Sequence, residues 1–130
     1  MATVAPSSLP PIDAVEVVSL RGVRASAGEY MRVAGDARSV RLVGTSADHF
    51  AAMWRALPAG QQMRCHGPPF GLRFYARGTL VCQASICWRC NNIFGDTRSD
   101  RLFFAFDGSA PRSRDLLRAC EHALGASAAE

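Results

Sequence analysis

The sequence predicts an α+β domain: a mainly antiparallel β-sheet of about five to six strands with two helices packed on it. Three observations carry that expectation. The segments Phe70–Ala76 (FGLRFYA) and Thr79–Trp88 (TLVCQASICW) stand either side of Arg77-Gly78. Two β-rich runs joined by a two-residue turn, with glycine to accept positive φ, are a hairpin signature. Apolar residues recur twice at helical spacing, as Phe50, Met53, Trp54 and Leu57, then as Leu116, Leu117, Cys120, Ala123 and Leu124. The length, 130 residues, suits one core.

The elements follow in order. Residues 1–11 (MATVAPSSLPP) read as a flexible tail, 12–125 as a single domain, and 126–130 as a frayed end. Ile12–Leu20 is rich in β-branched residues and predicts a strand that Arg21-Gly22 ends. A short strand is expected at Tyr30–Ala34, with turns at Gly28 and Gly35-Asp36. Ser39–Val43 alternates and stops at Gly44, so it reads as a strand. Ser46 is a candidate N-cap for the first helix, which Pro58-Ala59-Gly60 halts. Met63–Cys65 opens a further strand before Gly67-Pro68-Pro69.

The hairpin comes next, and its turn sets Phe74 opposite Val81 and Arg73 opposite Cys82. Each face then mixes apolar and polar residues, which suits strands covered on both sides. Gly95–Asp100 reads as a loop and Leu102–Phe106 as a strand. Pro111 marks the start of the last helix and Gly125 its stop.

Composition narrows the function classes. The 48% hydrophobic and 20% charged content is that of a soluble globular protein. No run approaches the roughly 18 apolar residues of a membrane span, so no membrane partner is expected. The start lacks the basic and apolar regions of a signal peptide. That favours the cytoplasm, where thiols stay reduced, and five cysteines argue against a complete disulfide framework. The net charge of +4 comes entirely from arginines, which are scattered along the chain. They read as the mark of a GC-rich bacterial genome and give no strong nucleic-acid signal. The aromatics at strand spacing read as core rather than as a stacking platform.

Chemistry concentrates around Ser85–Asn92 (SICWRCNN). Cys87 and Cys90 form a CxxC pair, and Cys65 and His66 stand upstream. Cys65, His66, Cys87 and Cys90 together are a candidate metal set, with zinc the candidate cofactor, because tetrahedral zinc takes four N or S ligands. Adjacent Cys65 and His66 count against it, since neighbouring strand side chains point to opposite faces. The same CxxC could serve a thiol enzyme, although no helix follows to stabilise a thiolate. A nucleophile reading pairs Cys87 or Cys90 with His66 and Asn91 or Asn92. Burial is the ordinary fate of a free cysteine, and it is the strong expectation for Cys82 and Cys120. His49 and His122 read as surface residues. No P-loop, GxGxxG, HExxH or GxSxG motif is found, and no paired carboxylates.

The span Arg64–Gly95 resembles a small bacterial protein family of no established activity, on RCHGPPFGLRFY and SICWRCNNIFG. That resemblance implies no mechanism and gives no residue a role. The expected function is therefore a small non-catalytic binding protein. Its partner protein or small-molecule ligand would sit near the His66, Cys87 and Cys90 corner. The alternatives are the metal-binding domain and the thiol enzyme. An exposed sheet edge would support a homodimer.

Overall fold

Six strands form: β1 (Ala14–Ser19), β2 (Ser39–Val43), β3 (Phe70–Ala76), β4 (Thr79–Cys87), β5 (Asn92–Thr97) and β6 (Arg101–Ala105). In the computed structural model, which describes residues 4–128, they make one antiparallel sheet in the order β2-β1-β3-β4-β5-β6. Helices α2 (Gly44–Arg55) and α3 (Pro111–Ala128) pack together against one face of it. The α+β architecture is the one the sequence predicts. Among the described residues no helix is long and apolar enough to cross a membrane.

Which side chains meet the helices is decided by a bulge. Tyr75 pairs with Leu80, but Phe74 pairs with Cys82, so Val81 is an extra residue between them. From there Arg73 lies opposite Gln83, not Cys82. The expected pairing is corrected by one residue, and a one-residue shift moves every later side chain to the other face. Phe70, Leu72 and Phe74 therefore share a face with Cys82, Ala84 and Ile86. They form the main core with Val15, Val17, Phe50, Trp54, Ile93, Phe106, Leu116 and Cys120. The opposite face receives Glu16, Arg73, Gln83 and Ser85. One face is thus apolar throughout, while the other is mixed as expected: it sets these polar residues beside a smaller buried cluster of Val18, Leu20, Met31 and Ala34.

Several expected elements differ. Tyr30–Val33 is a single helical turn, α1, rather than a strand. Its Met31 is buried over Gly71, where a Cβ would collide with the methionine sulfur. The glycine gives the Met31 side chain room to lie flat on the sheet. Met63–Cys65 forms no strand; it is part of a loop fastened by side chains. The segment expected to be a loop from Gly95 begins inside β5. Asn, Gly and Asp hide this strand in the sequence, but Ile93 is fully buried and Gly95 lies where a Cβ would strike the Gln83 backbone.

Helix α2 begins at Gly44, so Ser46 is not its cap. Helix α3 runs past Gly125 to Ala128. Part of the expected tail is ordered: Pro6–Ser8 form a 3-10 turn, and Leu9 is buried against the core. Residues 1–3 and 129–130 lie outside the described residues.

The sheet edges are β2 and β6. The far end of β6 is covered by the Pro58–Gly60 segment, through Gly60 N–H to the Ala105 carbonyl (3.0 Å) and Asp107 N–H to the Pro58 carbonyl (2.9 Å).

Candidate functional site

The face away from α2 and α3 is ordered in rows across the strands. One row reads Arg41, Glu16, Arg73, Gln83, Asp96 and Arg101. Opposite charges placed side by side stabilise neighbouring strands. Within it Arg73 donates to Glu16 at 2.8 Å and to Gln83 at 3.3 Å. From α1, Arg32 reaches Asp96 at 3.3 Å. The next row places Ser85 beside Phe94 and Phe94 beside Phe103.

His66 sits over this second row, carried by the 61–69 loop. Its Nδ1 lies 2.6 Å from Asn92 Oδ1 and its Nε2 2.8 Å from Ser85 Oγ. The tautomer follows from the partners. Asn92 Nδ2 donates to the carbonyls of Met63 (3.2 Å) and Cys65 (2.7 Å). That fixes Oδ1 as the acceptor facing the ring, so Nδ1 carries the proton. In the neutral ring Nε2 then accepts the Ser85 hydroxyl. The Phe94 carbonyl, 3.2 Å from Ser85 Oγ, is the alternative acceptor. A protonated ring is therefore also satisfied, because Ser85 can turn its proton to Phe94 and accept from Nε2–H. Burial pulls the His66 pKa below its ordinary value, and the Asn92 hydrogen bond opposes that shift.

Aromatic rings enclose the imidazole. Tyr30 meets it edge-on at 5.5 Å between centroids, and Phe94 at 4.7 Å. Phe94 in turn contacts Phe103 at 5.0 Å. All four rings are half-buried, so they present a continuous partly open surface. Met63 adds exposed apolar area beside it, at 53%. Arg64, Arg89 and Arg101 are exposed and in no ion pair among the described residues.

The loop is fastened to the β4–β5 turn. Met63 N–H donates to the Cys90 carbonyl (2.9 Å), and Asn91 Nδ2 to the Gln61 carbonyl (2.9 Å). Asn91 holds a positive φ of 54°, which asparagine tolerates better than most residues. A disulfide joins Cys65 to Cys90, with Cα atoms 5.5 Å apart.

That bond corrects two expectations. The CxxC pair is not formed, since Cys90 bonds to Cys65 and leaves Cys87 free and buried. Cys65, His66, Cys87 and Cys90 also do not converge as zinc ligands. Two of the three sulfurs are spent on each other, and both His66 nitrogens are engaged. Among the described residues no three His, Cys, Asp or Glu side chains are grouped to hold a metal ion. The expectation of wholly reduced thiols is corrected as well.

The nucleophile set is likewise rearranged. His66 does meet Asn92, but the third member is Ser85, and neither Cys87 nor Cys90 bonds the ring. Asn91 instead accepts from Gly108 N–H at 3.0 Å. The free thiols elsewhere are unreactive in character. Burial and the Asp96 charge push Cys82 up to about 12, and burial and Glu121 raise Cys120 further. Ser85 carries no sequence signal of its own. It becomes visible only once the bulge fixes which face it joins.

Comparison with family models, with curated proteins and with solved structures finds no match for this chain.

Proposed function

We propose that this protein is a non-catalytic binding module whose partner docks on the His66 corner of the open sheet face. One observation carries the reading. Tyr30, His66, Phe94 and Phe103 form a half-exposed aromatic surface that is held rigid from behind by Asn92, Ser85 and the disulfide. Rigid aromatic anchors lose little entropy on binding and dominate interface energetics. The unpaired Arg64, Arg89 and Arg101 favour an acidic partner surface with an apolar anchor. The Cys65–Cys90 bond weighs toward an oxidising compartment and against the reducing cytoplasm.

A second reading draws on the Ser85–His66–Asn92 chain, which has the hydrogen-bond order of a serine nucleophile, its base and an orienting amide. Against it, Ser85 is 1% exposed beneath the ring, on a central strand whose backbone donors face β3 and β5. A substrate carbonyl has no approach. A fluorophosphonate probe should leave Ser85 unlabelled; labelling lost in Ser85→Ala would make this an acyl-transfer enzyme.

The binding reading is tested by affinity capture from the native host with wild type, Phe94→Ala and the double charge reversal Arg64→Glu/Arg89→Glu. The last variant alters only exposed side chains and preserves the fold. Both should weaken retention of the same captured protein by about tenfold or more, as loss of an interface anchor does. His122→Ala, on the helical side, should not. Capture that survives both corner variants contradicts the assignment.

A further inference from the structure

We propose that Cys65 is a thiol-exchange site: it takes a low-molecular-weight thiol such as glutathione as a mixed disulfide, and so unlatches the loop that carries His66. This goes beyond the partner-binding reading and does not rest on it.

The asymmetry of the disulfide carries the inference. Cys65 is exposed, whereas Cys90 is 1% exposed and Cys87 is 2% exposed. A thiolate attacks one sulfur in line with the bond that breaks, so access decides which sulfur is taken. Solvent reaches the Cys65 side and not the Cys90 side. Arg64 and Arg89, each next to one of the two cysteines, are exposed cations. They favour the approach of an anionic thiol and its carboxylates.

The step balances without a further oxidant. The thiolate RS⁻ attacks Cys65 Sγ, forming the RS–Cys65 bond as the Cys65–Cys90 bond breaks. The electron pair leaves on Cys90 Sγ, which takes up the proton the incoming thiol released. A second thiol attacking the adduct would release RSSR and leave Cys65 reduced. The adduct stands one residue from His66. The loop then keeps its hydrogen bonds to Leu20, Cys90, Asn91, Asn92 and Ser85, and loses its covalent tie.

The test begins with protein purified without reductant. Its intact mass should be that of a chain with one disulfide. It is then incubated, folded, in mixed reduced and oxidised glutathione, quenched in acid and mapped by peptide mass. The expected product is one glutathione per chain, on Cys65. It should be absent from Cys65→Ser and retained in Cys87→Ser. Amide hydrogens of residues 61–66 should exchange faster in the adduct than in the disulfide form. An adduct on Cys90 or Cys87, opening without an adduct on Cys65, a bond that yields only after unfolding, or a starting chain with no disulfide would each overturn the proposal.

Discussion

The two faces of one sheet are held by different physics. Toward α2 and α3, Val15, Val17, Leu72, Phe74, Ala84, Ile86 and Ile93 interlock as a dry core whose stability comes from buried area. On the other side, Glu16 pairs with Arg73, and His66 is fixed between Ser85 and Asn92. Beside a small dry cluster of Val18, Leu20, Met31 and Ala34, that face is directional, partly wet and fastened by a covalent bond. Close packing punishes lost volume, whereas a hydrogen-bonded face punishes unpaired donors and acceptors. The same strands supply both, because alternate residues point opposite ways.

This contrast can be broken in graded ways. Phe74→Ala, inside the dry core and in contact with Trp54 at 5.3 Å, should cost about 3–5 kcal/mol in urea unfolding. The double variant Cys65→Ser/Cys90→Ser should cost roughly 3 kcal/mol, from the loop its 25-residue separation leaves open in the unfolded chain. Its core should stay intact, so near-UV circular dichroism of Trp54 and Trp88 should change little. Asn92→Ala strips partners from His66 and from the Met63 and Cys65 carbonyls, and should cost about 2 kcal/mol. The penalty should appear as faster hydrogen exchange in the 61–66 loop rather than in β3.

The smallest effect is electrostatic. The folded pKa of His66 lies below its ordinary value of 6.5, so the unfolded chain binds more protons in acid. This contribution is complete above about pH 6.5 and is lost as pH falls toward the depressed folded value. Urea midpoints measured down to about pH 5 should therefore fall less steeply in His66→Gln than in wild type.

Much of the fold was legible. The Arg77-Gly78 turn announces the hairpin, and the stripe from Leu116 to Leu124 announces α3. Periodicity could not reveal the bulge at Val81, because a single unpaired residue leaves both runs looking like strands. That residue decides the chemistry of the open face, so the site was misread with it. The sequence points to His66 and Asn92 but ties them to cysteines. A CxxC spacing says nothing of a distant Cys65 that the 61–69 loop folds back onto Cys90. β5 was hidden for a related reason: Asn92, Gly95 and Asp96 are turn formers by composition, yet tertiary burial of Ile93 and close backbone approach at Gly95 override that preference.

The central claim is that hydrogen bonds to Ser85 and Asn92 organise the open face around a neutral His66. The direct measurement is the imidazole nitrogen spectrum of ¹⁵N-labelled protein at neutral pH, with His66 assigned by His66→Gln. The account predicts a neutral ring protonated on Nδ1, with Nε2 as acceptor, the opposite of the tautomer a free histidine prefers in water. A ring protonated on Nε2, or one averaging between tautomers as an exposed histidine does, would contradict it.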